Sequence, residues 1–237
     1  MVAPTGPDGR PPVALVTGVG RSIGIGAAIV TALRADGWNT VGVGWRGYDA
    51  RMPWGADADH LADVEADLAD PDVPQRVFDQ VRSDVGPVSG LVVCHCESVD
   101  ASIDDTTVES FDRHMAVNAR ATWLLIREFA RQFPGPAGSG RIVSLTSDHT
   151  AHNLPYGASK GAMDRIVLAA AIELAELGVT ANVVNPGATQ TGWMDDDLEQ
   201  AIARNTLAGR VGRPDDAARL VAFLCSDEGQ WVNGQLL

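Results

Sequence analysis

The chain has 237 residues, 45% of them hydrophobic and 21% charged, which is typical of one globular domain. Its formal net charge of −13 argues against a surface that binds nucleic acid or an anionic membrane. The longest uninterrupted apolar run, over 166–172, is far shorter than the roughly 20 residues that cross a bilayer. With no signal-peptide pattern and three cysteines, too few for a disulfide framework, the chain is predicted to be cytoplasmic with reduced thiols.

A short apolar strand over 13–17 is the first predicted element, and it leads into a glycine-rich turn and a helix over 25–35. This order of strand, glycine turn and helix is typical of a dinucleotide site. The glycines let the backbone approach a pyrophosphate, and the helix N-terminus offers free N–H groups and partial positive charge. The candidate cofactor-binding residues in this turn are Gly18, Arg21, Ser22, Ile23 and Gly24.

The second predicted strand, over 40–44, indicates which dinucleotide is expected. A carboxylate at its end would bind a free adenosine ribose and repel a 2′-phosphate. The chain has Trp45-Arg46-Gly47 there instead, and Arg46 together with Arg21 can clamp a phosphate. NADP(H) is therefore preferred and NAD(H) is the alternative, unless Arg46 is only a solvated loop residue. An acidic segment over 50–62 follows and is predicted to be an external loop.

A short strand and turn over 63–68, a helix over 73–85 and a strand over 90–94 precede a long predicted helix over 108–133. Asn118 lies within this long helix, where an asparagine is slightly unfavourable because its amide competes for backbone partners. Asn118 therefore either has a local task or faces solvent. The next strand, over 141–147, ends in hydroxyl side chains and can present Ser147, whereas Ser144 alternates into the sheet.

Lys160 is the only lysine of the chain and lies four residues after Tyr156, one of two tyrosines. At the start of a helix this spacing places both side chains on one face, about 5–6 Å apart at Cβ. A phenol has an ordinary pKa of about 10, and a neighbouring ammonium lowers that pKa by stabilising the phenolate. With Ser147 beside the phenol, these residues form a site that can polarise a carbonyl and donate a proton to it.

The predicted helix over 156–177 is apolar on more than one face, which indicates a subunit interface and hence a homodimer or homotetramer. A strand over 180–184 then leads to a turn, Asn185-Pro-Gly-Ala-Thr189. Segment 190–210 is predicted to be a mobile acidic lid that selects the substrate, and a helix over 214–224 follows.

Four of these features together resemble the short-chain dehydrogenase/reductase family, over roughly 13–237: the glycine-rich turn, Ser147, Tyr156-x3-Lys160 and Asn185-Pro-Gly187. The segment over 1–11 has no periodic apolar pattern and is predicted to be a flexible tail. The resemblance implies a single doubly wound Rossmann domain over 12–237. Such a domain has a mostly parallel, seven-stranded sheet with helices on both faces. The family's chemistry is hydride transfer between NAD(P)(H) and a small-molecule carbonyl or alcohol.

The resemblance also implies a role for each candidate residue. Ser147 and Tyr156 would hydrogen-bond the substrate oxygen, Tyr156 would give the proton, and Lys160 would lower its pKa and anchor the cofactor ribose. Asn118 matches the family asparagine that holds a water near the lysine. By position, Asp67 and Leu68 inherit contacts with the adenine, and the turn after the sixth strand contacts the nicotinamide carboxamide through Pro186, Gly187 and Thr189.

Two loops depart from the family pattern in length. The commonest form of the first turn is Thr-Gly-x3-Gly-x-Gly, whereas five residues lie between Gly18 and Gly24 here. The glycine-rich loop is therefore predicted to be longer than usual, as in the enoyl-reductase branch and some ketoreductase relatives, and the chain is expected to be a ketoreductase-like member of the family. Ser147 and Tyr156 are closer in sequence than in most relatives, so the loop between them, which carries His149 and His152, is predicted to be short and to leave the site more open.

The largest departure is Cys94-His-Cys-Glu97, which stands where the family has Asn-Asn-Ala-Gly. Three interpretations compete. The tetrapeptide could be a metal site of unusual spacing, a structural replacement with thiols packed as small hydrophobes, or a change that weakens cofactor binding. The last interpretation suggests an alternative function, a catalytically impaired dinucleotide-binding sensor or scaffold.

Overall fold

The computed structural model describes residues 3–4, 9–58, 61–133, 135 and 138–237. The predicted flexible tail over 1–11 lies largely outside the described residues, as does a part of the predicted loop over 50–62. Of the described helices, none is both long enough and apolar enough to cross a bilayer.

Six parallel strands form the central sheet in the order β3-β2-β1-β4-β5-β6. Their strongly apolar, almost wholly buried sequences are those of strands covered on both faces. The strands are β1 (Val13–Thr17), β2 (Asn39–Gly44), β3 (Val64–Glu65), β4 (Val88–Val93), β5 (Gly140–Leu145) and β6 (Val179–Val184).

The seventh predicted strand is reduced to a single bridge. Leu236 pairs in parallel with Val183 on the outer side of β6, with backbone hydrogen bonds of 2.8–3.0 Å between the two segments. Because one bridge is too short to count as a strand, the sheet has six strands where seven were predicted. The doubly wound parallel architecture itself is confirmed.

Helices cover both faces of the sheet. Alternate residues of β1 point to opposite layers: Leu15 packs with α3, α5 and α6, whereas Ala14 and Val16 pack with α1 and α8. The helices are α1 (Ile25–Ala35), α2 (Arg46–Arg51), α3 (Val73–Asp84), α4 (Val108–His114), α5 (Ala121–Gln132), α6 (Leu154–Glu173), α7 (Asp196–Ala203) and α8 (Pro214–Cys225). A short 3₁₀ turn, Ala175–Leu177, follows α6.

The long helix predicted over 108–133 is continuous but contains a π-helical turn, Met115–Arg120, between α4 and α5. Such turns occur frequently at functional sites because they widen the helix and displace its side chains. Here the turn carries Asn118, which is fully buried. The solvent-facing alternative for Asn118 is therefore wrong.

The chain reverses direction across the sheet between β1 and β4. From β1 it moves outward through β2 and β3, and from β4 it moves to the other side through β5 and β6. Parallel sheets of this kind bind ligands in the crevice at the carboxyl ends of the two central strands. A ligand-binding site is therefore expected at the loops after β1 and β4.

Candidate active site

The glycine-rich turn after β1 passes very close to the end of β4. Gly18 has a φ of +76°, and a Cβ there would lie 2.6 Å from the backbone of Cys94 and His95. A Cβ on Gly26 would lie 2.4 Å from the Gly18 carbonyl oxygen, so α1 can begin this close to the turn only with glycine there. Gly24 directly precedes α1.

Tyr156 and Lys160 lie one turn apart near the start of α6, with the Lys160 ammonium 5.7 Å from the centre of the Tyr156 ring. Ser147 follows β5 by two residues, and its hydroxyl lies close enough to the Tyr156 phenol to affect the pKa of that phenol. The backbone N–H of His149 donates to the Ser147 oxygen at 3.1 Å. The structure thus brings Ser147, Tyr156 and Lys160 together at the carboxyl edge of the sheet. Ser144 is instead buried and contacts Met163 Sδ at 3.1 Å.

Burial controls the proton affinities of this group. It raises the pKa of Tyr156, which the nearby Cys96 raises further and the nearby Ser147 hydroxyl lowers. Together these effects raise the pKa of Tyr156 above its ordinary value of about 10, and the lowering of this pKa by Lys160 stays a prediction. Burial lowers the pKa of Lys160, whose ammonium donates to the Leu145 carbonyl oxygen at 2.7 Å. Tyr156 is a neutral phenol at ordinary pH and holds the proton that a reduction would need.

The turn after β6 is built by local hydrogen bonds. Gly187 has a φ of +65°, and its N–H donates to Asn185 Oδ1 at 3.0 Å. The Thr189 hydroxyl is buried and lies within 3.4 Å of the Pro186 carbonyl oxygen. This turn therefore places Pro186, Gly187 and Thr189 at the same edge of the sheet as Ser147.

The two residues that the resemblance assigns to the adenine, Asp67 and Leu68, lie after β3. Leu68 is buried, and Asp67 accepts one hydrogen bond from the Ala69 N–H and two from the Arg113 guanidinium, each at 3.0 Å. Arg113 also lies over the Trp45 ring at 4.7 Å. Sequence reasoning missed Arg113, because its partners are far away in the chain and no local pattern connects them.

The two candidate phosphate-binding arginines contact different parts of the chain. Arg46 begins α2 rather than ending β2, and its N–H donates to Glu65 Oε1 at 2.7 Å while its side chain is exposed. Arg21 donates to the Thr191 carbonyl oxygen at 2.7 Å and lies over the Trp54 ring. Ile23 is half-exposed.

Comparison with known proteins agrees with this geometry. A family described as "Enoyl-(Acyl carrier protein) reductase" matches residues 18–237. A crystal structure of a short chain dehydrogenase from Burkholderia cenocepacia J2315, in complex with NADP, superposes with a TM-score of 0.82 at 31% identity and covers 96% of each chain. The chain belongs to the short-chain dehydrogenase/reductase family. It is therefore an oxidoreductase of that family.

Two curated relatives are similarly close to this short-chain dehydrogenase/reductase. "Uncharacterized oxidoreductase YjdA" of Bacillus subtilis is 34% identical, with 95% of this chain and 94% of that protein aligned. The "NADPH-dependent aldehyde reductase-like protein, chloroplastic" of Arabidopsis thaliana is also 34% identical, with 95% of this chain and 91% of that protein aligned. The resemblance thus extends over nearly the whole chain.

The predicted lengthening of the glycine-rich loop is wrong. Gly24 directly precedes α1, which is the place of the last glycine of the family pattern. Five residues separate the first and last glycines both in that pattern and between Gly18 and Gly24. The loop therefore has the usual length, and Ser22 takes the place of the middle glycine.

His95 shows how the family's asparagine pair has been replaced. Its Nε2 lies 2.9 Å from the Val117 carbonyl oxygen, and its Nδ1 lies 2.7 Å from the Thr17 hydroxyl. Since a carbonyl only accepts, Nε2 carries the proton and Nδ1 accepts from Thr17. Burial lowers the pKa of His95 to about 4, so the ring is neutral and joins β1, β4 and the π-helical turn.

The thiols beside His95 support the structural interpretation of this tetrapeptide. Burial raises the pKa of Cys96 and raises that of Cys94 to about 12, so both thiols are protonated. Among the residues that the structure describes, no three His, Cys, Asp or Glu side chains are grouped as a metal site requires. The metal interpretation therefore has no support among these residues.

Glu97 occupies the family's glycine position, yet its charge is neutralised. Its side chain is 2% exposed and pairs with Arg51, at 2.6 Å to Oε1, and with Arg113, at 3.3 Å to Oε2. Asn118 holds the Glu97 backbone by accepting from its N–H at 2.7 Å and donating to its carbonyl at 2.9 Å. The remaining Asn118 N–H donates to Ser159 Oγ at 2.8 Å. Its proposed water-holding role stays a prediction.

The buried His95 should make stability depend on pH. Its pKa in the folded chain, about 4, lies below the ordinary value of 6.5, so the neutral ring favours folding. This contribution is complete above pH 6.5 and decreases as the pH falls towards 4, by about 3 kcal/mol in total. We expect His95→Asn to flatten the pH dependence of the free energy of unfolding in this range, as measured by urea denaturation.

His152→Asn, a change of an exposed loop histidine, is the matched control and should keep the slope of the parent chain. Parallel pH profiles for the parent chain and His95→Asn would contradict the assignment of the slope to His95.

Proposed function

We propose that the protein interconverts a carbonyl and a secondary alcohol by hydride transfer with NADP(H). The observation that carries the proposal is the placement of Ser147 near the neutral Tyr156 phenol, one helical turn from Lys160, at the edge of the sheet where the glycine turn lies. NAD(H) is the alternative cofactor. The printed names of the Arabidopsis relative and the Burkholderia structure, which mention NADPH and NADP, also support this choice.

The residues at the crevice fit such a cofactor. The close approach at Gly18 leaves backbone rather than side chain at the mouth of the crevice, as a pyrophosphate requires. Asp67 and Leu68 would contact the adenine, and Lys160 would bind the nicotinamide ribose. The remaining contacts are proposed for Arg21, Ser22, Ile23, Gly24 and Arg46 at the phosphates and for Pro186, Gly187 and Thr189 at the carboxamide.

The cofactor, when bound, supplies or accepts the hydride. The hydroxyls of Ser147 and Tyr156 donate to the carbonyl oxygen and stabilise the negative charge that develops there. Tyr156 then transfers its proton to this oxygen. The Lys160 ammonium, within reach of the ring, offsets the charge of the resulting phenolate. The raised pKa of Tyr156 keeps the phenol protonated at neutral pH, so the proton that a reduction needs is present.

The alternative, a sensor or scaffold without catalysis, is suggested mainly by the replacement at Cys94–Glu97, in which Glu97 takes the glycine position. Its carboxylate is paired with Arg51 and Arg113 rather than directed at an open crevice. This pairing favours an intact binding site, and with it the enzymatic proposal.

Removing the Tyr156 hydroxyl should abolish most turnover. We expect Tyr156→Phe to lower kcat by about 10²–10⁴-fold, because the proton donor is lost, while NADPH affinity changes little. The measurement is NADPH consumption with a panel of aliphatic and aromatic aldehydes and ketones. Tyr48→Phe is the matched control, since the Tyr48 hydroxyl donates to the Ser98 carbonyl oxygen at 3.3 Å and has no proposed role in catalysis. Full turnover by Tyr156→Phe would contradict the proposed mechanism.

Arg46 should favour NADPH over NADH. We expect Arg46→Ala to weaken NADPH binding about tenfold and to leave NADH binding unchanged, because only NADPH carries the 2′-phosphate. Tryptophan fluorescence titrations of both dinucleotides measure this difference. Arg82→Ala, an exposed change in α3, controls for net charge. An equal loss for both cofactors would show that Arg46 does not read the phosphate.

Self-association is proposed through the face formed by α5, α6 and the π-helical turn. Trp123 is half-exposed there, and Ile172 on α6 is 80% exposed. A shallow depression on this face is lined mainly by apolar side chains, among them Met115, Ala119, Trp123, Ala162 and Ile166. Apolar surface of this kind marks protein contacts. The proposed assembly is a homodimer or homotetramer.

We expect Trp123→Glu to convert the assembly into monomers, because it places a charge in the apolar face. Sedimentation velocity measures the mass. Trp231→Glu, at a tryptophan that is 95% exposed, is the control and should leave the mass of the parent protein unchanged. If Trp123→Glu and the parent protein had the same mass, this face would not be the interface.

A further inference from the structure

Ser22, the residue in place of the family's middle glycine, is bound to an acidic side chain. Its backbone N–H and its hydroxyl both donate to the same oxygen, Asp57 Oδ2, at 2.9 and 2.7 Å. Asp57 belongs to segment 52–58, which follows α2 and folds back over the glycine-rich turn. An N–H and an O–H that converge on one carboxylate oxygen form a small anion site.

Arg21, the preceding residue, ties the same turn to two other segments. Its guanidinium lies over the Trp54 ring at 5.1 Å and donates to the Thr191 carbonyl oxygen at 2.7 Å. A Cβ on Gly192 would lie 2.8 Å from Arg21 Nη2, so the first part of the predicted lid packs directly on Arg21. Segment 52–58 and residues 191–192 therefore meet on the turn that is proposed to receive the cofactor phosphates.

Segment 52–58 is anchored to α2 on the N-terminal side of Asp57. The Trp54 Nε1–H donates to Asp49 Oδ1 of α2 at 3.0 Å, and Asp49 is buried. Gly55, between Trp54 and Asp57, has a φ of +71° and no atom within 4 Å of an added Cβ. The backbone can therefore turn at Gly55 and move Asp57 while Trp54 stays on α2.

A carboxylate and a phosphate offer similar anionic oxygens to the same donors. The turn before α1 is where the proposed function places the cofactor phosphates, and phosphate groups bind at such turns through N–H and O–H donors. The Ser22 donors cannot serve Asp57 and a phosphate oxygen at the same time.

We propose that Asp57 is an internal phosphate mimic that sets cofactor affinity by competing for Ser22. Cofactor binding displaces the carboxylate and releases segment 52–58 from the turn. This inference rests on the proposed NADP(H) site. The phosphate that takes the place of Asp57 is either the pyrophosphate, which both dinucleotides share, or the 2′-phosphate, which only NADPH carries.

The test compares Asp57→Ala with Asp84→Ala, a change of an exposed aspartate at the end of α3 that removes the same charge. Calorimetry with NADPH, NADH and inorganic pyrophosphate measures the affinities. We expect Asp57→Ala to bind about three- to tenfold more tightly than Asp84→Ala, as suits a competing contact at the surface. If Asp57→Ala binds both dinucleotides and pyrophosphate more tightly by the same factor, Ser22 contacts the pyrophosphate of the cofactor. If it binds only NADPH more tightly, Ser22 contacts the 2′-phosphate. Equal affinities of the two variants for every ligand would overturn the proposal.

Hydrogen exchange gives a readout that needs no turnover. Without ligand, the Ser22 amide should exchange faster in Asp57→Ala than in Asp84→Ala, because this amide donates to the Asp57 carboxylate. Saturating pyrophosphate or NADPH should speed exchange over 52–58 in the parent chain and slow it over 18–26. Slower exchange over 52–58 with ligand would overturn the proposal. If pyrophosphate gives the expected result while neither dinucleotide binds, the proposed function fails and the competition for Ser22 stands.

Discussion

The close approach of the first turn to the end of β4 is the constraint on which the rest of the site depends. Gly18 leaves no room for a side chain against Cys94 and His95. His95 then joins Thr17 of β1 to Val117 of the π-helical turn. Because these contacts fix the two central strands and the α4–α5 helix relative to one another, they also fix the crevice between the loops.

Glu97, in the family's glycine position, places a carboxylate inside the protein. A buried carboxylate is costly unless it is paired, and removal of one partner from such a pair costs about 3–5 kcal/mol. Arg51 of α2 and Arg113 of α4 supply the partners, and Arg113 extends the network to Asp67. Glu97 thus joins the segment after β4 to α2, to α4 and, through Arg113, to Asp67 after β3. The charge of Glu97 is neutralised by arginines from two other parts of the chain.

The strands, turns and helices that the sequence predicts correctly are those that depend on residues close together in the chain. The apolar runs over the strands, the glycine turn and the Tyr156-x3-Lys160 spacing each depend on residues a few positions apart, and the structure has a strand, turn or helix at each place. Contacts between distant segments leave no such pattern. Arg113 and Asp67 are 46 residues apart in sequence, and nothing near either residue indicates the other. The direction of the Lys160 ammonium, towards Leu145, likewise depends on how α6 packs on β5.

Cofactor affinity at the crevice should depend on competition, because several charged groups there already have partners within the protein. A chain with a net charge of −13 repels an anionic cofactor at long range, so binding depends on local cations. Two of the local cations, Arg51 and Arg113, are already paired with Glu97 and Asp67. Arg21 is held by Thr191 and Trp54. A cofactor therefore gains less electrostatic attraction than the number of arginines suggests. Its affinity depends on the contacts within the protein that it must break as well as on the contacts that it forms.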